Sequence, residues 1–139
     1  MRIVVDTSVF ISALLGAKRP SRELIRRCLL GHYQPLMGNA LFYEYESVLG
    51  REEIVRKCRL SSAEVADLLA AFMSACEWIQ LYYLWRPNLR DEGDNHLIEL
   101  AIAGNAQIIA TNNIKDSQGA ELAFPRLTVL KPEQIIQQE

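Results

Sequence analysis

A chain of 139 residues, half of them apolar and 23% charged, can bury one core without disulfide staples and lacks the composition of a disordered segment. No apolar run approaches the ~20 residues that cross a bilayer, and an acid at position 6 arrives too early for a secretory leader; a membrane role is excluded and a soluble, cytoplasmic protein is expected. The net charge of -2 is polarised, with ten Lys/Arg against six Asp/Glu in residues 1–60 and five against eleven in residues 61–139, so the first half carries the basic clusters that could meet a phosphate backbone.

In chain order, short β-rich runs alternate with helical periodicity. A strand over 2–5 (RIVV) precedes a helix over 8–15 and another over 20–31, the latter opened by Pro20 and Ser21 and closed by Gly31. The thinnest strand pattern, 34–37 (QPLM), is followed by helices over 39–49, ending at Gly50, and over 51–57. Ser61, Ser62 and Glu64 suit the cap and first turn of a helix over 61–76, whose Val65, Leu68, Leu69, Phe72, Met73 and Cys76 recur at core spacing. A strand over 78–82 (WIQLY), a helix over 94–103, strands over 107–110 (QIIA) and 127–130 (LTVL), and a short helix near 132–137 complete the series. The alternation predicts an α/β fold, one domain over residues 1–139 with a small, mostly parallel central sheet flanked by helices. Cys28, Cys58 and Cys76 are odd in number and lack CxxC spacing, so they are expected to be reduced thiols rather than a disulfide framework or zinc site.

In open parallel sheets the working crevice lies outside the carboxyl ends of the strands. Asp6 leaves the first strand at that end, with Thr7 and Ser8 beside it, and the segment after 107–110 brings Thr111, Asn112, Asn113 and Asp116 to the same edge. Asp6 equally suits the N-cap of the helix that begins near Ser8. In residues 91–104 (DEGDNHLIELAIAG), Asp91 and Asp94 open an amphipathic helix. A 3.6-residue period sets Asp94 over the stripe of Leu97, Ile98 and Ala101 and turns His96 and Glu99 the other way, so His96, like His32, is expected to face solvent. In residues 39–50 (NALFYEYESVLG) the stripe is Leu41, Phe42, Tyr45, Val48 and Leu49; Glu44 and Glu46 flank it at similar angles, and periodicity does not choose between them.

Carboxylates gathered in one cleft repel one another unless some are protonated or a cation holds them ionised. Hard oxygen donors without His or Cys favour Mg²⁺ or Mn²⁺, ions that activate water and stabilise a phosphodiester transition state. Hydrolysis of a phosphate ester follows as the expectation, and a polyanionic substrate gives a use to the basic clusters at Lys18, Arg19, Arg22, Arg26 and Arg27 and at Arg51, Arg56, Lys57 and Arg59. Each cluster taken singly also fits a solvated helix face.

Four ordered stretches, VVDTSVFISALL, ALFYEYESVL, DEGDNHLIELAIAGNAQIIATNN and LTVLKPEQII, together resemble the PIN domain family over nearly the whole chain, and more narrowly the bacterial PIN proteins regarded as VapC-like toxin components of toxin–antitoxin pairs. The resemblance implies a metal-dependent endoribonuclease with RNA as substrate, three or four clustered acids holding one or two Mg²⁺ or Mn²⁺, and an antitoxin protein and a second copy of the chain as partners. Residue by residue, it implies that Asp6, Glu44 (rather than Glu46) and Asp94 are catalytic and metal-binding, that Asp91 supports them or serves a second metal, that Ser8 orients the first acid, and that Thr111 is the hydroxyl after the last core strand. Where many PIN domains read T-x-D, this chain reads Thr111-Asn112-Asn113. Related toxin-like sequences with T-x-N carry an acid three residues later, so Asp116 is expected as the fourth catalytic and metal-binding acid, with Asn113 as a neutral ligand or donor. Arg19 and Arg22, and Arg86 and Arg90 in the loop 85–93 (WRPNLRDEG), are expected to hold substrate phosphate. Two competing readings stand beside this one. A degenerate PIN domain would bind RNA or protein without cutting, as Asn113 suggests; an aspartyl-nucleophile phosphatase would need D-x-D where the third residue here is Ser8.

Overall fold

The computed structural model describes residues 1–16, 18–80, 95–113 and 127–137. Five strands, β1 (Arg2–Val5), β2 (Gln34–Met37), β3 (Glu77–Trp78), β4 (Ile108–Ala110) and β5 (Thr128–Leu130), form one sheet in the order β3-β2-β1-β4-β5. Every pairing is parallel. Parallel neighbours require crossovers: among the described residues α1 (Thr7–Leu15) and α2 (Arg19–Leu29) connect β1 to β2, and α3 (Asn39–Leu49), α4 (Glu52–Lys57) and α5 (Ser62–Ala75) connect β2 to β3, while α6 (Asn95–Ala103) precedes β4 and α7 (Pro132–Gln137) follows β5. The expected α/β architecture is present, and every pairing among the described strands is parallel.

Strand sequence follows from burial on both faces. Ile3, Val4, Val5, Leu36, Met37, Ile108, Ile109 and Ala110 are all buried, a near-continuous apolar run of the kind a covered parallel sheet demands. The expected strand at 78–82 is shorter and earlier: β3 holds Glu77 and Trp78, which pair with Leu36 and Met37, while Ile79 adds only a backbone bond to the Met37 carbonyl and residues 81–82 lie outside the described ones. An edge strand has one neighbour, so its length is limited by how far that neighbour runs.

The helix boundaries follow local chemistry. Gly16 ends α1 in the left-handed region at φ 67°, where a Cβ would also stand 2.8 Å from Arg22 Nη2. Ser61 and Glu64 close a reciprocal capping box at the start of α5. The cysteines are free thiols, and burial pushes those of Cys28 and Cys76 up to about 12. Among the described residues no helix is long and apolar enough to cross a membrane.

Because all strands run the same way, Val5, Met37, Trp78, Ala110 and Leu130 end at one edge of the sheet. The β1–β4 register pairs Val5 with Ala110, so the next residues out, Asp6 and Thr111, emerge side by side; the Asp6 amide donates to the Ala110 carbonyl at 2.9 Å. Helix α3 is fixed to the same edge by Tyr45. Its ring lies edge-on to Phe10 at 5.4 Å and beside Phe72 at 6.0 Å, and its hydroxyl donates to the Val5 carbonyl at 2.8 Å. That bond seats the residue next to Glu44 against the residue next to Asp6.

Candidate active site

Asp6 occupies the N-cap position of α1, with the extended backbone a cap requires, yet its side chain accepts no capping hydrogen bond. The carboxylate turns instead toward β4. Its Oδ2 accepts from Thr111 Oγ1 at 2.8 Å and from Ser8 Oγ at 2.9 Å. Both hydroxyls have their polarity set from behind: Asn113 N–H donates to Thr111 Oγ1 at 3.0 Å, and Asn112 N–H donates to Ser8 Oγ at 3.0 Å. Each hydroxyl is thereby left with its proton for Asp6. Asn112 Nδ2 also donates to the Ser8 carbonyl at 3.2 Å, which ties the end of β4 to the start of α1.

The second carboxylate oxygen is less engaged. Thr7 Oγ1 stands 3.4 Å from Asp6 Oδ1 and 3.1 Å from Glu44 Oε1, and one hydroxyl proton cannot serve both. The shorter contact assigns it to Glu44, so Asp6 Oδ1 keeps its lone pairs for another partner. Asp6 is only 7% exposed, and an ionised carboxylate at that depth needs the two hydroxyl donors and, on its free oxygen, a cation or another donor.

Glu44 is the flanking acid of α3 that joins this group. Its Oε1 takes the Thr7 hydroxyl and its Oε2 lies 2.7 Å from His96 Nε2. The His96 hydrogen bond, ahead of the opposing effect of burial, holds the Glu44 carboxyl below its usual range. Glu46 is exposed and lines a separate apolar groove with Leu14, Leu49 and Ile54. Burial, followed by the adjacent Asp6 charge, pushes the Tyr45 phenol well above its ordinary value, so it stays a donor to Val5.

Two expectations about α6 need correction. His96 does not face solvent: its side chain is 18% exposed and pairs with Glu44. Glu99, expected on the same outward face, is buried. Leu97, Ile98 and Ala101 form the inward stripe as the periodicity predicts. However, α6 packs against α3 as well as against β1, β2 and β4, so a second side of the helix is covered, and one-stripe reasoning assigns that side to water.

The remaining candidates are placed as follows. Ser8 and Thr111 sit against Asp6; Asn113 has an exposed side chain and contributes its backbone N–H to Thr111. Arg19 and Arg22 belong to the first turn of α2, next to the C-terminal end of α1 at Gly16, a nine-residue helix or ~13 Å of rise away from Asp6. Arg22, Arg26 and Arg59 border a groove of about 530 Å³ floored by Ala13, Ile25 and Leu68. Arg26 and Arg27 are both paired with Glu23, whose carboxyl they pull down to about 2. Asp91, Asp94, Asp116, Arg86 and Arg90 lie outside the described residues. Sequence reasoning missed Thr7 as the link between two acids and His96 as a partner of Glu44; the hydroxyl directly after Asp6 was the available signal for the first.

The donor set is chemically suited to a hard divalent cation. Asp6 and Glu44 offer carboxylate oxygens on either side of the Thr7 hydroxyl, with no thiolate nearby to favour a softer metal. Among the described residues no three His, Cys, Asp or Glu side chains are gathered to hold an ion by themselves.

Comparison with known proteins gives the same frame. No curated protein matches the chain. Among solved structures, a chain from the crystal structure of VapBC2 from Rickettsia felis bound to a DNA fragment from their promoter shares the fold, at 18% identity and a TM-score of 0.62, covering 94% of this chain and 98% of that chain. The PIN domain family model matches residues 2–115, from β1 to just past the Asp6-binding hydroxyl of Thr111, and by that match the chain belongs to the PIN domain family.

Proposed function

We propose that this protein is a metal-dependent endoribonuclease and the toxin component of a toxin–antitoxin pair. The observation that carries the reading is Asp6: a nearly buried carboxylate in a capping position without a side-chain capping bond, oriented by Ser8 and by a hydroxyl 105 residues away, with its other oxygen only weakly engaged among the described residues. An acid kept for helix stability would bond the helix. This one makes no capping bond to the α1 backbone and takes the Ser8 and Thr111 hydroxyls instead.

In this reading Asp6 and Glu44 hold Mg²⁺ or Mn²⁺ together with Asp94 and Asp116, and Asp91 assists them. A divalent cation bound there supplies an activated water and neutralises charge on the phosphodiester. The chain's own part is to hold the carboxylates in place: Ser8 and Thr111 hold Asp6, Thr7 holds Glu44, and Asn113 sets the Thr111 hydroxyl. Arg86 and Arg90, close in sequence to Asp91, bind substrate phosphates, and Arg19 and Arg22, at the far end of α1, take phosphates further along the strand. The fold shared with a chain of the VapBC2 complex supports an antitoxin partner, and a homodimer belongs to the same reading.

Asn113, which stands where many PIN domains have an acid and exposes its side chain, favours a second reading as a non-catalytic RNA- or protein-binding module. One assay separates the two. Purified protein is incubated with labelled single-stranded RNA in Mn²⁺, Mg²⁺ or EDTA, beside an Asp94→Asn variant. Cutting that requires metal and is lost in the variant is the expected result; RNA binding without cutting, indifferent to EDTA, would establish the second reading.

A further inference from the structure

We infer that His96 is a positioning residue for Glu44, fixing its carboxylate in the orientation that takes a divalent cation; this rests on the nuclease reading of the site. Glu44 lies on the flank of α3 with a side chain 36% exposed, and a glutamate with three rotatable bonds at such a place ordinarily samples many directions. Here each of its oxygens meets a different donor from a different element. Thr7 Oγ1, at the start of α1, reaches Oε1 at 3.1 Å, and His96 Nε2, in the first turn of α6, reaches Oε2 at 2.7 Å. A carboxylate only accepts hydrogen bonds, so Nε2 carries a proton and the pair is charge-assisted, which matches its short length.

The ring has no other described purpose. Its Nδ1 is buried and has no hydrogen-bond partner among the described residues, so the bond to Glu44 is the one polar contact that accounts for its placement. Holding two oxygens from both sides leaves lone pairs directed away from Thr7 and His96, and the geometry is set before a cation arrives. Partners that orient a ligating group in this way typically change metal affinity about 10–100-fold.

The test compares Mn²⁺ binding by calorimetry in the wild type, His96→Gln, His96→Asn and Glu44→Gln, each checked for native unfolding behaviour. The Gln amide nitrogen can stand where Nε2 stands, whereas the shorter Asn amide cannot reach Oε2. His96→Asn is expected to bind Mn²⁺ about 10-fold or more weakly and His96→Gln to recover most of that loss. Glu44→Gln calibrates the loss of the ligand itself. Wild-type affinity in His96→Asn, with Glu44→Gln impaired, would overturn the positioning role and leave the nuclease reading intact. Equal weakening in the Asn and Gln variants would also overturn it, since the ring's bulk rather than its hydrogen bond would then matter. A wild type that binds no Mn²⁺ would remove the nuclease reading and this inference together.

Discussion

Tyr45→Phe removes one oxygen atom and should affect both stability and the site. The ring contacts to Phe10 and Phe72 survive the change, so the perturbation isolates the 2.8 Å bond from the Tyr45 hydroxyl to the Val5 carbonyl. Tyr45 is 1% exposed, and no water replaces the missing donor. A net hydrogen bond contributes about 0.5–1.5 kcal/mol, and the cost rises to about 1–3 kcal/mol where a buried acceptor is left short of a partner. For a chain of this length about 3–4 °C accompanies each kcal/mol, so the midpoint should fall by roughly 3–12 °C. Because this bond joins the residue before Asp6 to the residue after Glu44, metal-dependent cleavage should fall too, beyond what the unfolded fraction explains. Urea and thermal unfolding with parallel RNA cleavage at a temperature where both proteins are folded would measure this. Stability within about 0.5 kcal/mol of wild type would refute the claim that this bond anchors α3.

Other substitutions probe neighbouring parts of the account. Thr111→Val keeps the shape of the side chain but removes the 2.8 Å donor to Asp6 and the acceptor for Asn113 N–H; chemical denaturation should show a loss of about 1.5–3 kcal/mol. Gly104→Ala would place a Cβ 2.4 Å from Leu36 Cδ1 and 3.1 Å from Ile79 Cγ1, and the overpacking should cost about 1–3 kcal/mol in the same assay. Glu44, with its carboxyl held low chiefly by the His96 bond, favours the folded state above the ordinary glutamate range, and that contribution is lost as pH falls through its lowered folded value. An NMR titration of the metal-free protein should show Glu44 titrating below the ordinary glutamate range, and moving upward in His96→Asn.

The α/β frame was legible because both of its signals are local. Runs such as Ile3-Val4-Val5 and Ile108-Ile109-Ala110 are apolar throughout, as strands covered on both faces must be, and the capping residues Ser61 and Glu64 and the terminal Gly31 and Gly50 act within a turn of themselves. What the sequence could not resolve depends on contacts far along the chain. Whether Asp6 caps α1 or leaves it is decided by Thr111, and the register that brings Thr111 there belongs to the sheet, not to either segment. Glu44 and Glu46 are symmetric about the α3 stripe and differ only in what lies beside them: Thr7 and His96 on one side, an open groove on the other. His96 was misassigned for the same reason, since a single-stripe helix model cannot register that α3 covers a second side of α6.

Under the proposed function Asp6 serves a cation rather than its own helix. Asp6→Asn keeps the size and the capping ability of the side chain, since Asn caps as well as Asp, but removes the charge. Metal-dependent RNA cleavage by Asp6→Asn beside the wild type, with unfolding of both recorded, tests that claim most directly. A folded variant in which cleavage is lost is the expected result; wild-type cleavage by Asp6→Asn would rule out a metal-binding role for Asp6.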